Sequence, residues 1–379
     1  MPPTRIAWAW RVCSAAVLLA AAPVMPAVTS AEPAAPSGPV FPAASPDHPT
    51  LVYVDNDYLG PGQSNIQSLI PLLRTPGVRL LGIGVVTGDA WLAEETAHVL
   101  RFLEIAGRTD IPVFAGAQLP LIRTNAEMKT WETRYGRIPW KGAWNAPKPG
   151  RTYHPDDPEL IPALPEGAPA MSAAAETAAH FLIRVVHEHP GEVTIITAGP
   201  LTNIALAVRL DPAMPRLARE IIIEGGKLDN SIARVTGNPD YGTDFNFLFD
   251  PEAAHIVLTS PWARVTVVGD VTEPVKVTRE ITERVGKSGT PVARYFQTYA
   301  RVGQPFWDEI TVAVALDRTL VTREIVARMD VDILPGPTYG QAQVWSDDGA
   351  PGNGEMSVHI VREMDVPRFL STFTSLASK

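Results

Sequence analysis

From residue 50 onward, short runs of apolar β-forming residues alternate with longer stretches whose apolar positions recur at helical spacing. Thr50-Leu51-Val52-Tyr53-Val54, bounded by Asp55 and then by Gly60-Pro61-Gly62, predicts a buried strand followed by a loop. Asn65 to Leu73 carries Ile66, Leu69, Ile70, Leu72 and Leu73, which predicts a helix. Val78 to Val86 reads as a second buried strand, ending in Thr87-Gly88-Asp89. Trp91 to Ala106 is helical in period, with Glu94, Glu95, His98 and Arg101 on its exposed face, and Ile111 to Ala115 is strand-like. Residues 121–172 break this rhythm. They are rich in Pro, Gly and aromatics (Trp131, Tyr135, Trp140, Trp144, Tyr153) and predict a long loop or lid. Its rings either stack on a flat ligand or pack the loop onto the domain.

Regularity resumes with a helix from Ala173 to His189, a strand from Val193 to Thr197, and the turn Ala198-Gly199-Pro200 leading into a helix near Leu201. Ile221 to Ile223 and Val265 to Val268 read as buried strands, Trp307 to Leu316 as a helix, and Gln341 to Trp345 and Ser357 to Val361 as late strands. Strands alternating with helices predict an α/β fold, a parallel sheet covered on both faces. No internal repeat is present, so a single domain over residues 50–379 is the simplest organisation.

The first 31 residues stand apart. Arg5 and Arg11 flank Trp8 and Trp10, the apolar run from Val12 to Val28 is broken by Pro23 and Pro26, and Thr29-Ser30-Ala31 precede Glu32. This is the pattern of a signal peptide cleaved after Ala31, and the unbroken run is too short for an anchor. The expectation is an exported protein, periplasmic or secreted, free of the membrane once cleaved. Residues 32–49, largely Pro, Ala and Ser, predict a disordered leader. Cleavage removes Cys13, the only cysteine, so the mature chain has no disulfides and relies on its core. With 379 residues, 45% of them hydrophobic, that core can be large. Loss of Arg5 and Arg11 takes the formal charge from −9 to −11, and no basic run offsets it, which argues against nucleic acid as a partner. The oligomeric state stays open, a homo-oligomer included.

In a parallel sheet, ligands bind beyond the carboxyl ends of the strands. There this chain places Asp55 and Asp57, Asp89, the carbonyl near Ala198 and the loop Gly237 to Asn246, while Asp308 opens the late helix. Carboxylate, amide and carbonyl oxygens without Cys or His form a hard donor set suited to Ca²⁺ or Mg²⁺ and not to zinc. Taken singly, each Asp or Asn is equally a helix cap or turn residue. The assembly is what points to a site.

Val-Asp-Asn-Asp at Val54–Asp57, Gly82 to Asp89, Gly199-Pro200-Leu201-Thr202-Asn203-Ile204-Ala205, Gly225-Gly226, Gly237-Asn238 with Asp244-Phe245-Asn246, Asp250-Pro251-Glu252-Ala253-Ala254 and Trp307-Asp308 occur in that order. This series resembles the inosine–uridine nucleoside hydrolases, from about residue 51 to the C-terminus. The resemblance implies an open, mostly parallel mixed sheet with flanking helices, and hydrolysis of the N-glycosidic bond of nucleosides or related N-ribosides. It also implies one Ca²⁺ that coordinates the attacking water and the ribose hydroxyls. Carried over by motif position, Asp57 is a calcium ligand and the base that activates the water, and Asp308 and the Ala198 carbonyl are further donors. Asn238, Asp244 and Asn246 bind the sugar, the family usually having Glu where Asp244 stands.

The chain also departs from the family pattern. The family's first loop reads Asp-x-Asp-Pro-Gly-x-Asp-Asp, whereas here Tyr58-Leu59-Gly60 is inserted after Asp57. Ser64 and Asn65 then stand where two aspartates belong, Ser64 toward the substrate and Asn65 with an uncharged amide oxygen for the cation. Asp89 replaces an Asn and is expected to restore one negative charge beside the substrate. Trp307 replaces the His that often assists the leaving base, and is placed either to stack on that base or to fill the pocket wall. Among the histidines, His255 reads as structural and His154 and His180 as surface residues. Loss of the loop aspartates also fits a non-catalytic glycoside-binding protein on the same fold. An aspartate-nucleophile phosphatase fits poorly, because Leu59 occupies the position where that signature needs Thr.

Overall fold

Nine strands in the order β3-β2-β1-β4-β5-β6-β9-β7-β8 make one sheet. A computed structural model describes residues 49–146, 154–228 and 244–379, and the chain from Pro42 to Lys379 clusters as a single unit. Residues 1–48, over which a signal peptide and most of a leader were expected, lie outside the described residues, as do Tyr153 and the proposed sugar-binding Asn238. The strands are β1 (Thr50–Asn56), β2 (Val78–Val85), β3 (Val113–Ala115), β4 (Val193–Thr197), β5 (Glu220–Glu224), β6 (Val265–Val268), β7 (Val321–Val331), β8 (Ala342–Trp345) and β9 (Met356–Met364). From β3 through β9 every pairing is parallel, and β7 runs antiparallel to both β9 and β8. The expected open, mostly parallel mixed sheet with flanking helices is the observed architecture.

Side-chain alternation along each strand divides the core between the two faces of the sheet. Val52, Val54, Ile196, Ile222 and Val268 point to one face, under helices Leu92–Ala106, Pro291–Tyr299, Trp307–Leu316 and Val366–Ala377. Tyr53, Ile195, Ile221, Ile223, Val265 and Val267 point to the other, under helices Ala178–Glu188, Thr202–Leu210 and Pro251–Leu258. Both faces are dry, which is why the central strands read as nearly continuous apolar runs.

Several elements differ from expectation. The helix read over Asn65–Leu73 is two short ones, Ser64–Gln67 and Leu69–Arg74, because Pro71 lacks an N–H and is accommodated only in the first turn of the second. The helix read from Ala173 starts at Ala178, where Thr177 accepts from the His180 N–H as N-cap. Ala174 instead bridges to Phe114 at the sheet edge. Residues 121–172 contain a helix, Asn125–Tyr135, with a capping box between Thr124 and Glu127. β7 escaped the sequence reading because its first eight residues are half-buried or exposed and carry no clean alternation.

Two motifs prove to be scaffold. Asn203 donates to both carboxylate oxygens of Asp55 (3.2 and 3.0 Å) and to the Val85 carbonyl (3.0 Å), and accepts from the Ala117 N–H (2.7 Å). It thereby pins helix Thr202–Leu210 to β1 and to the loop after β3. Asp250 caps helix Pro251–Leu258 through the Ala253 N–H (3.1 Å) and also accepts from Thr202 Oγ1 (2.6 Å) and the Leu121 N–H (2.9 Å). These ties hold the loops at the carboxyl edge of the sheet in fixed positions.

Candidate active site

Asp57 lies one residue beyond β1, fully buried, with Asn56 linking it to the late helix. The Asn56 Oδ1 accepts from the Asp57 N–H (2.8 Å), and its Nδ2 donates to Asp308 Oδ2 (2.9 Å). One amide thus ties the Asp308 carboxylate to the Asp57 backbone, which brings the two residues that the sequence singled out into a common site. Asp57 Oδ1 accepts from Asn65 Nδ2 (3.1 Å) and Oδ2 from the Asp89 N–H (2.9 Å). Two neighbouring glycines have no room for a side chain: a Cβ at Gly88 would collide with the Asp57 carboxylate, and one at Gly199 would lie 2.6 Å from the Asp57 nitrogen. Glycine at both positions is therefore a condition for Asp57 to sit where it does.

Burial pushes the Asp57 carboxyl well above the ordinary range, and the charges of Asp89 and Asp308 push it further. Asp308 is raised by burial and then by Glu309, with Lys227 acting the other way. Several carboxylates crowded in a dry pocket are costly unless a cation or protons neutralise them. Asp308 Oδ1 and the Oδ1 atoms of Asn65 and Asn246 have no hydrogen-bond partner among the described residues. The Ala198 carbonyl, at the end of β4, accepts only the Asn246 amide (3.0 Å) among the described residues. No three His, Cys, Asp or Glu side chains among the described residues form a metal cluster by themselves. Asp57 and Asp308 supply only two carboxylates, to which the Asn65 amide oxygen and the Ala198 carbonyl would add two neutral oxygens. Those are hard oxygen donors, and they fit Ca²⁺.

Other residues expected at the site prove to be engaged within the protein. Ser64 Oγ donates to Glu309 Oε2 (2.5 Å) and accepts from the Asp308 N–H (2.9 Å), so it fixes the start of helix Trp307–Leu316. Asp244 caps helix Phe245–Phe249 and accepts from the Gly226 and Lys227 N–H groups, the latter at 3.0 Å. Asn246 spends its amide hydrogens on Ala198, the Glu224 carbonyl (3.2 Å) and Glu224 Oε2 (2.7 Å). The Asp89 carboxylate accepts from the indole N–H of Trp140, which brings the 121–172 segment to the site. Trp140 also meets Phe245 edge-on at 6.5 Å. Trp307 is half-buried beside Asp308, with the Lys227 ammonium 5.7 Å from its ring centre. Among the histidines, His255 pairs with Asp330 (2.9 Å) and His180 is exposed. His154 is not a surface residue: its ring is enclosed, 3.2 Å from Glu94.

Five buried groups at the site were missed: Glu224, Lys227, Glu95, Glu309 and the inserted Tyr58. Glu224 ends β5 just before Gly225-Gly226, so the strand-end rule alone was enough to find it. Glu95 and His98, read as exposed, are buried: His98 bonds Glu166 (2.5 Å), while Glu95 accepts from the Ala90 N–H (2.6 Å), and its burial and the Asp57 charge raise its pKa. Nothing local in the sequence marks Glu95 or Glu309, since each resembles an ordinary acid in a first helical turn.

The buried acids set a pH dependence. Burial lifts Asp55, Asp244 and Asp250 to about 6 and Glu309 to about 8. A carboxyl whose folded pKa exceeds its unfolded one stabilises fully below the unfolded value, and that contribution is lost as pH rises through the folded value. The Tm of cation-free protein should therefore fall from about pH 5 to about pH 8. A flat or rising Tm in calorimetry over that interval would contradict these assignments.

Acids gathered at the carboxyl ends of a mostly parallel sheet mark the place where an α/β enzyme binds its ligand. The chain belongs to the inosine–uridine preferring nucleoside hydrolase family, whose profile matches residues 52–371. It is 31% identical over 322 residues to an uncharacterized protein of Schizosaccharomyces pombe, covering 80% of this chain and 78% of that one. To the inosine-uridine preferring nucleoside hydrolase of Leishmania major it is 28% identical, covering 84% and 94%. A solved plant nucleoside hydrolase superposes with a TM-score of 0.66 at 25% identity, covering 87% of this chain and 99% of the other.

Proposed function

We propose that the protein hydrolyses the N-glycosidic bond of ribonucleosides, with Asp57 as the base that takes the proton of the attacking water. The observation that carries this is the convergence of Asp57 and Asp308 on one amide, Asn56, at the carboxyl edge of the sheet. Asp57, Asp308, the Asn65 amide oxygen and the Ala198 carbonyl would hold a Ca²⁺. Such a cation lowers the pKa of an adjacent water, which suits a carboxylate base near neutral pH. As the bond breaks, positive charge builds on the sugar ring, and the surrounding carboxylates stabilise it. Asn65 and the Asp89 N–H orient the Asp57 carboxylate for proton transfer, and Asn246 offers its amide oxygen to a sugar hydroxyl. Relatives named for inosine and uridine support those two nucleosides as first substrates.

The test is release of base from inosine and uridine by purified protein, before and after chelation and calcium return. Chelation should abolish turnover and calcium restore it; binding without turnover would favour the glycoside-binding alternative. Asp89 acts on both Asp57 and Asp308 through its charge. Asp89→Asn should accordingly raise the calcium needed for half-activation about tenfold. Unchanged calcium dependence would show that Asp89 does not compensate for the lost loop aspartates.

A further inference from the structure

Lys227 is a buried basic residue in a site otherwise lined by acids. It follows Gly225-Gly226 at the end of β5, and its ammonium pairs with Glu273 (2.7 Å) and lies 5.7 Å from the centre of the Trp307 ring. Its charge partly offsets the rise that burial imposes on the carboxyl pKa of Glu224, Asp244 and Asp308. The Trp307 indole N–H has no hydrogen-bond partner among the described residues, and the Lys227 ammonium stands over the face of that ring. The acids favour positive charge on the sugar but oppose negative charge on a departing base. A cation set over an aromatic face meets the opposite need: the ring offers a stacking surface and the ammonium offers charge and hydrogen bonds.

We propose that Lys227 is a catalytic residue facing the leaving group, and that the enzyme takes neutral nucleosides whose base departs as an anion. This rests on the nucleosidase reading above. The C1′–N bond breaks with its electron pair on the base nitrogen, and the Lys227 ammonium donates a hydrogen bond to the resulting anion. Water loses one proton to Asp57 and adds its hydroxyl to C1′. Asp57 returns that proton to solvent and the base takes one up, giving ribose and free base.

The test compares Lys227→Met and Lys227→Arg with the wild type on uridine and on 4-nitrophenyl β-D-ribofuranoside, whose phenolate leaves without assistance. Lys227→Met should lose about 10²-fold in kcat on uridine and less than about threefold on the nitrophenyl riboside, with Lys227→Arg recovering part of the loss. Equal losses on the two substrates, or none on uridine, would overturn the proposal and leave Lys227 a structural counter-ion. Wild-type protein inactive on both ribosides overturns the nucleosidase reading itself, a separate signature. If Lys227→Met does not fold, Glu273→Gln keeps the ammonium but removes its anchor. It must then show a smaller loss selective for uridine, and an unselective effect counts against the assignment.

Discussion

Asp57→Asn should lower kcat by about 10³-fold or more while the protein stays folded. Asparagine has the same shape but only one acceptor oxygen, so it keeps one of the two contacts, to Asn65 or to the Asp89 N–H, and loses the other. What disappears is the proton acceptor and one of the two carboxylates proposed to hold the cation. Two losses therefore travel together: the rate falls, and calcium binds more weakly. Stability should move the other way in cation-free protein, because Asp57 is buried against the charges of Asp89 and Asp308. Kinetics on inosine with a calcium titration, beside a thermal melt, separates these effects. Turnover within tenfold of the wild type would remove Asp57 from the role of base.

Asn203→Ala should destabilise the fold by about 3 kcal/mol without touching any group that meets substrate. Asp55 is fully buried, and Asn203 supplies donors to both of its oxygens. Tyr53 OH remains on Oδ2 (2.6 Å), but Oδ1 is left unpaired, and the Ala117 N–H loses its acceptor. A cavity at the junction of β1, β2 and helix Thr202–Leu210 adds to the cost. Urea denaturation gives the number; a loss under about 1 kcal/mol would show that Tyr53 alone satisfies Asp55. The expected effect explains why an amide sits on the buried side of helix Thr202–Leu210: it carries the load between strands that are far apart in sequence.

These two residues differ in how far the sequence revealed them. Asp57 was legible because a short apolar run ending in Asp55-Asn56-Asp57 marks a strand end, and strand ends are where such sheets bind ligands. Asn203 was legible only as part of a motif, and its work as a tie to Asp55 needed the sheet order. Ser64 shows the same limit. Its position in the first loop suggested a substrate contact, whereas its hydroxyl bonds Glu309 and Asp308, more than 240 residues away.

By itself the sequence determined the alternation of strands and helices, the acidic carboxyl edge with Asp57, Asp89 and Asp308, and the family motifs. These follow from local periodicity and from residue types at fixed spacing, which short-range physics controls. Only the tertiary structure decided that β7 turns the far end of the sheet antiparallel and that Trp140 reaches Asp89. It alone placed Glu95 and Lys227 in the site around Asp57. Burial and long-range charge pairing set those roles, and both depend on what the folded chain brings near a residue, not on what stands beside it in the sequence.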